Sequence, residues 1–165
     1  MAEEIENLAR YMRCGHATEI QAALDRAEAK CGAQGLNLTS GRRKVLSVLL
    51  QEHRALSAYE ILEFISPENG RAKPPIAYRA LNFLTEHGFA HRIERLNAYV
   101  ACTHPEETHA PAFMICRLCH AVDEVHMKPA KSALATAARA KGFQIERTTF
   151  EAEGICPTCA NAAHT

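Results

Sequence analysis

Nowhere does the chain approach the roughly 18 to 20 consecutive apolar residues of a membrane-spanning helix. That excludes a helical membrane anchor in the sequence as read. The opening residues, MAEEIENLAR, are acidic and lack the basic start of a signal peptide. The expectation is a cytoplasmic protein. An excess of one charge is also missing, since 19 Lys and Arg balance 19 Asp and Glu. Phosphate neutralisation drives nucleic-acid binding, so a balanced surface argues against a uniformly basic DNA-wrapping protein. The average conceals a local bias. Residues 39–100 hold nine Lys or Arg against six Asp or Glu, whereas residues 102–165 hold six against seven.

Cysteine is odd in number, with seven in 165 residues, which argues against a full disulfide framework. Four of the seven form two Cys-x-x-Cys pairs, Cys116/Cys119 and Cys156/Cys159. Two intervening residues let both sulfurs of a pair turn onto one tetrahedral ion at about 2.3 Å. The expected centre is a structural zinc held by all four thiolates, with no open coordination position for a substrate. Cys14 and Cys31 are expected to be unpaired. The competing reading is a zinc-free thiol oxidoreductase using Cys156-Pro-Thr-Cys159 as a dithiol. Such motifs open a helix after a strand in a βαβ unit, whereas this pair lies a few residues from the chain end beside a second Cys-x-x-Cys.

In the front half, residues 17–30 place Ile20, Leu24, Ala27 and Cys31 on one helical face. Thr39 suits the cap of a second helix carrying Val45, Leu46, Leu49 and Leu50, with Arg42, Arg43 and Lys44 near its start as possible phosphate contacts. Ser57 and Glu60 have the spacing of a capping box for a third helix packed through Ile61, Leu62, Phe64 and Ile65. Pro67 and Gly70 are expected to end it. A fourth helix, opened by Pro75 and stopped by Gly88, buries Ala77, Ala80, Leu81 and Leu84 and projects Tyr78, Arg79 and Asn82. An aromatic, a cation and an amide on one face suit phosphates and base edges. FAHRIERLNAYVAC then reads as a basic hairpin turning at Asn97, with Arg92 and Arg95 beside it. Three packed helices, an exposed fourth and a hairpin predict a winged helix-turn-helix.

The back half reads as strands AFMIC and AVDEV, an alanine-rich helix from Lys131 to Lys141 stopped by Gly142, and the alternating run FQIERTTFEAEG. The fold class expected is therefore α+β, with an N-terminal winged-helix domain followed by a small α/β dimerisation domain stabilised by four cysteines. The boundaries are 1–102 for the first, with 1–16 a mobile tail, 103–111 for a hinge and 112–165 for the second. So small a second core needs zinc and a partner copy for support. His91, Cys102, His104, His109, Glu124 and His126 gather near the boundary in sequence and offer a mixed N, S and O donor set for zinc.

KPPIAYRALNFLTEHGFAHRIE, followed by CRLCHAV and CPTC, resembles the ferric uptake regulator family of bacterial metal-sensing repressors over roughly residues 17–160. KPP before the exposed helix, NAYVAC and the single His109 in THAPAFMIC resemble the zinc uptake regulator branch. Ala110 to Phe113 stand where the family's iron sensors usually carry a histidine-rich cluster. The resemblance implies structural zinc on Cys116, Cys119, Cys156 and Cys159, and a sensing zinc on His91, Cys102, His109 and Glu124. His104, His120 and His126 are further imidazoles that could join a metal site. Tyr59 and Arg79 match base-contacting positions, with Tyr78 and Arg42 at phosphates. Ser40-Gly41 departs from the family's usual Pro-Gln. The implied function is a homodimeric, zinc-responsive, non-enzymatic repressor of zinc-uptake genes acting on a palindromic operator. Iron, manganese or peroxide sensing is the alternative within the family, and a thiolate at Cys102 favours zinc over harder metals.

Overall fold

The computed structural model describes residues 17–52, 54–66, 74–105, 111–126, 128–146 and 148–162. The expected tail at 1–16, the stop at Pro67 and Gly70, and His109 lie outside them. The chain divides into two compact units, residues 1–105 and 106–165.

The first unit is built from four helices and a hairpin. Helix α1 (Ala17–Ala33) buries Leu24, Ala27 and Cys31, the face its periodicity defines. Helix α2 (Ser40–Gln51) begins where the Thr39 side chain accepts the Arg42 N–H, and buries Val45, Leu46, Val48 and Leu49. Helix α3 (Ala58–Ile65) carries a complete capping box: Ser57 Oγ accepts the Glu60 N–H, and the Glu60 carboxylate accepts the Ser57 N–H. Arg54 clamps that carboxylate at 2.6 Å. Its side-chain bond, followed by that of the Ser57 backbone, holds Glu60 down at about 2. Phe64 departs from expectation. It is 49% exposed, because α3 turns only Ala58, Ile61, Leu62 and Ile65 inward.

Helix α4 (Pro74–Glu86) starts one residue before Pro75 and buries Phe83 as well as Ala77, Ala80, Leu81 and Leu84. It ends at Gly88, whose φ of 73° belongs to the left-handed region. There the Phe89 N–H returns to the Leu84 carbonyl at 2.8 Å. Strands β1 (Ala90–Ile93) and β2 (Ala98–Ala101) pair antiparallel, and Asn97, at φ 47°, makes the turn. Arg92 donates to the Asn97 side chain at 2.9 Å and fixes the tip. One continuous apolar cluster runs from Leu24 in α1 through α2, α3 and α4 to Tyr99 in β2.

The second unit has a three-stranded sheet in the order β4-β3-β5. Strand β3 (Pro111–Cys116) is central, antiparallel to β4 (Val122–His126) and parallel to β5 (Phe150–Gly154). Ala112, Phe113, Ile115 and Cys116 of β3 are buried. Helix α5 (Lys128–Ala140) starts three residues earlier than its alanine-rich core suggests, and Gly142 stops it at φ 64°. The expected strand from Phe143 to Thr149 is absent among the described residues. Alternation alone does not make a strand: only Phe150–Gly154 finds a ladder on β3, and Phe143 is left 67% exposed. A short helix α6 (Pro157–Ala162) follows. No helix among the described residues is long and apolar enough to cross a membrane.

Candidate metal centres and nucleic-acid interface

The four cysteines of the second unit converge. Cys116 ends β3, Cys119 lies three residues on in the turn to β4, and Cys156 and Cys159 flank the start of α6. Their sulfurs all lie within 4.8 Å of one another. Cys119 Sγ and Cys156 Sγ are 3.7 Å apart. That separation is far beyond a disulfide of about 2.05 Å. It fits the edge of a tetrahedron of sulfurs around zinc, about 3.8 Å for Zn–S bonds of about 2.3 Å.

Backbone geometry prepares the sulfurs for a cation. The turn after Cys116 is closed by Cys116 N–H to Ala121 O at 2.9 Å and His120 N–H to Cys116 O at 3.0 Å. His120 takes φ 58°, an uncommon conformation for a residue with a Cβ, and its side chain is exposed. The Cys156 N–H points at Cys116 Sγ and the Cys159 N–H at Cys156 Sγ, both at 3.4 Å. Donation from the Cys119, Cys156 and Leu118 backbone lowers the Cys116 thiol to about 6, while the Cys156 and Cys119 sulfurs push Cys159 up to about 12. Clustered thiols divide their titration in this way, and a divalent ion removes the obstacle to ionising all four. The residues present therefore fit a structural zinc.

Cys156-Pro-Thr-Cys159 opens the short helix α6 after β5, with Pro157 in its first turn, but no strand follows α6 among the described residues, so the pair does not stand in a βαβ unit. The packing of Cys119 and Cys116 against this pair separates it further from a redox dithiol, since it assembles four donors where a dithiol needs two.

In the first unit, His91 stands in β1 and Cys102 directly follows β2. The Cys102 N–H bonds to the Phe89 carbonyl at 2.9 Å, continuing the hairpin ladder, and its thiol is buried. The donor atoms of His91 and Cys102 lie within 4.8 Å of each other. His104 is exposed and shares a 2.8 Å hydrogen bond with the Thr103 hydroxyl through Nδ1. In the second unit Glu124 sits on β4 opposite Phe113 and is half-buried.

The hairpin that positions His91 and Cys102 is bonded to the start of α3 and to the end of α4. Leu56 and Tyr99 exchange backbone hydrogen bonds of 2.9 and 2.8 Å, so β2 grips the residue just before the Ser57 cap of α3. Phe89, just before β1, closes the end of α4. This bridge was invisible in the sequence, because a backbone pairing between residues this far apart leaves no local signal. On the outer surface Tyr59, in the first turn of α3, is 69% exposed. Tyr78, Arg79 and Asn82 are exposed on α4, as the periodicity implies. Of the cations of α2, Arg43 is engaged by Asp25 at 3.0 Å and Glu28 at 2.8 Å, and Lys44 by the Ile65 carbonyl at 3.0 Å. Arg42 stacks its guanidinium 3.6 Å from the Phe83 ring centroid and donates to the Asn37 carbonyl at 2.5 Å.

Residues 33–153 match the ferric uptake regulator family. The chain belongs to that family. Within it, similarity runs to zinc-named members. The zinc uptake regulation protein of Escherichia coli (strain K12) is 37% identical over 143 residues, covering 86% of this chain and 84% of that protein. A zinc uptake regulator solved with zinc and DNA superposes with a TM-score of 0.85 at 35% identity, covering 88% of this chain and 98% of that one. Holo XcZur matches with a TM-score of 0.77 at 37% identity, covering 84% and 96%. Within this family frame, α4 occupies the recognition-helix position of a winged helix-turn-helix and the β1–β2 hairpin is the wing.

Proposed function

We propose that this protein is a zinc-responsive transcriptional repressor of zinc-uptake genes. The observation that carries it is the likeness to zinc uptake regulators in sequence and in fold, one of them solved on DNA with zinc. The chain's own residues support it. His91 and Cys102 offer an imidazole and a thiolate within one ion's reach, a pair that suits zinc better than manganese or iron. With His109 and Glu124 they are the proposed regulatory ligands, alongside the four-cysteine structural site, giving two zinc ions per protomer. Held by these donors, zinc would supply a cross-link that favours one arrangement of the chain.

The residues then do the rest. His91 and Cys102 are rooted in the wing, and the wing is bonded through Tyr99 to α3 and through Phe89 to α4. Constraining the wing base therefore constrains both helices that carry Tyr59 and Arg79. Arg79 suits bidentate contact with guanine, Tyr59 a base edge, and Tyr78 and Arg42 phosphates. The protein acts as a homodimer in the cytoplasm, without enzymatic activity, on a palindromic operator whose half-sites lie about 34 Å apart. Leu134, Phe143 and Ile145 are exposed apolar side chains of the second unit that a partner copy would cover. Residues 103–111 serve as the hinge between residues 1–102 and 112–165.

The test is Cys102→Ser. DNA binding should lose its zinc dependence while the structural zinc is retained. Unchanged zinc-dependent binding would remove Cys102 from the regulatory site.

A further inference from the structure

Lys30 stands in the last turn of α1, where any cation is favoured by the helix's free carbonyls. Its ammonium has more specific partners. Nζ lies 5.2 Å from the centroid of the Phe89 ring and donates a hydrogen bond to the Pro105 carbonyl. These two residues bracket the wing ligands along the chain, since Phe89 precedes His91 by two residues and Pro105 follows Cys102 by three. Phe89 is itself fixed: its ring is buried, its N–H is bonded to Leu84 and its carbonyl accepts the Cys102 N–H. The cation over its face thus rests on an immobile surface.

Cys102 therefore sits on a short segment tied at both ends. The Phe89 carbonyl holds its N–H, and Lys30 holds the carbonyl of Pro105 beyond it. Both ties meet at the Phe89 ring and backbone, one residue before the strand that carries His91. Releasing the second tie would let residues 103–105 explore more backbone conformations, and metal binding would then have to order them. An ammonium has no lone pair, so Lys30 cannot be a ligand while charged.

We propose that Lys30 is a positioning residue for the regulatory zinc, gripping the Phe89 face and the Pro105 carbonyl so that Cys102 is held in register with His91 before metal arrives. This rests on the reading of His91 and Cys102 as regulatory ligands. Helix α1 thereby becomes part of the sensing apparatus as well as of the winged-helix core.

The experiment uses the full-length protein with its structural zinc loaded and follows uptake of the second zinc equivalent by competition with a chelator at buffered free Zn²⁺. Lys30→Met keeps the apolar stem and removes the donor; it should raise the half-saturating zinc concentration about tenfold, the lower end of what groups supporting metal ligands contribute. Lys30→Arg keeps charge and donor and should bring the value to within about threefold of the parent, since its fork differs in geometry. Melting of the protein holding structural zinc alone should be the same for parent and Lys30→Met. Cys102→Ser should lose the second equivalent altogether. If Lys30→Met takes up zinc as the parent does while Cys102→Ser does not, the positioning role is wrong. Equal weakening in Lys30→Met and Lys30→Arg, or a parallel drop in melting temperature, would show that Lys30 acts through packing and overturn it as well. Normal uptake by Cys102→Ser would bring down the regulatory-site reading and this proposal with it.

Discussion

At the scale of single residues, the sulfurs of Cys116, Cys119, Cys156 and Cys159 carry the sharpest consequence. Four thiolates within 4.8 Å of one another would repel unless a cation neutralised them, and the metal's binding energy is then folding energy. Replacing Cys119 with Ser should cost about one zinc equivalent per chain and unfold or monomerise the second unit, measured by metal content and thermal melting. A variant that melts normally would show that the four-sulfur cluster does not support the fold. Arg79 makes a different kind of claim, because it is exposed on α4. Its replacement by Ala should cost about 1 to 3 kcal/mol of operator binding and relax preference at one base position. A uniform loss across all DNA sequences would make it a phosphate contact. Arg42, by contrast, is held by Phe83 and Asn37, so its removal should also loosen α2 against α4.

At the scale of elements, the clearest prediction concerns the cap of α3, which orients Tyr59. Glu60 is held at about 2 by Arg54 and by the Ser57 backbone. Its folded value lies below the ordinary carboxylate value of about 4.3. The stability it contributes is fully present above that pH and is lost as pH falls toward 2. Arg54 and Glu60 are both partly exposed, so solvent screening limits the contribution to about 0.5 to 1 kcal/mol. The difference in unfolding free energy between parent and Glu60→Gln should therefore shrink from about pH 6 to about pH 3, a comparison that cancels acid loss of metal from the thiolates. A difference constant over that range would mean the pair contributes nothing through charge.

The elements of the first unit were legible in the sequence because of their boundary signals: Thr39, the Ser57 and Glu60 box, the prolines that open α4, Gly88 and Asn97. The run from Phe143 to Thr149 had the right alternation and no such signal, and strand formation depends on a neighbouring strand that local sequence does not encode. Phe64 shows the same limit on a helix: an apolar side chain one position off the buried stripe remains outside. The four-sulfur cluster was readable because spacing is short within each of the two Cys-x-x-Cys pairs. The approach of His91 to Cys102 depends on hairpin pairing and required the fold, as did the Leu56 to Tyr99 bridge and the reach of Lys30 to Pro105.

At the scale of the whole molecule, zinc sensing requires a difference in stability between two states of the protein. A reversal of DNA occupancy from about 1:99 to 99:1 demands about 5.5 kcal/mol of differential zinc binding. A zinc site whose ligands come together in only one of the two states would supply such a differential, and linkage then requires operator DNA to tighten zinc by the same factor. Dimerisation through the second unit would place one recognition helix per half-site, and Phe143→Glu should then weaken self-association, read by sedimentation, without disturbing the four-cysteine site. A dimer unaffected by that charge would locate the interface elsewhere. The most direct measurement of the central claim is operator binding by the purified protein, on a promoter fragment of a zinc-import gene from its own organism, titrated with buffered free Zn²⁺ and, in parallel, with Fe²⁺ and Mn²⁺. A steep rise in affinity with zinc alone is the predicted result; binding that ignores zinc, or that answers equally to iron or manganese, would contradict it.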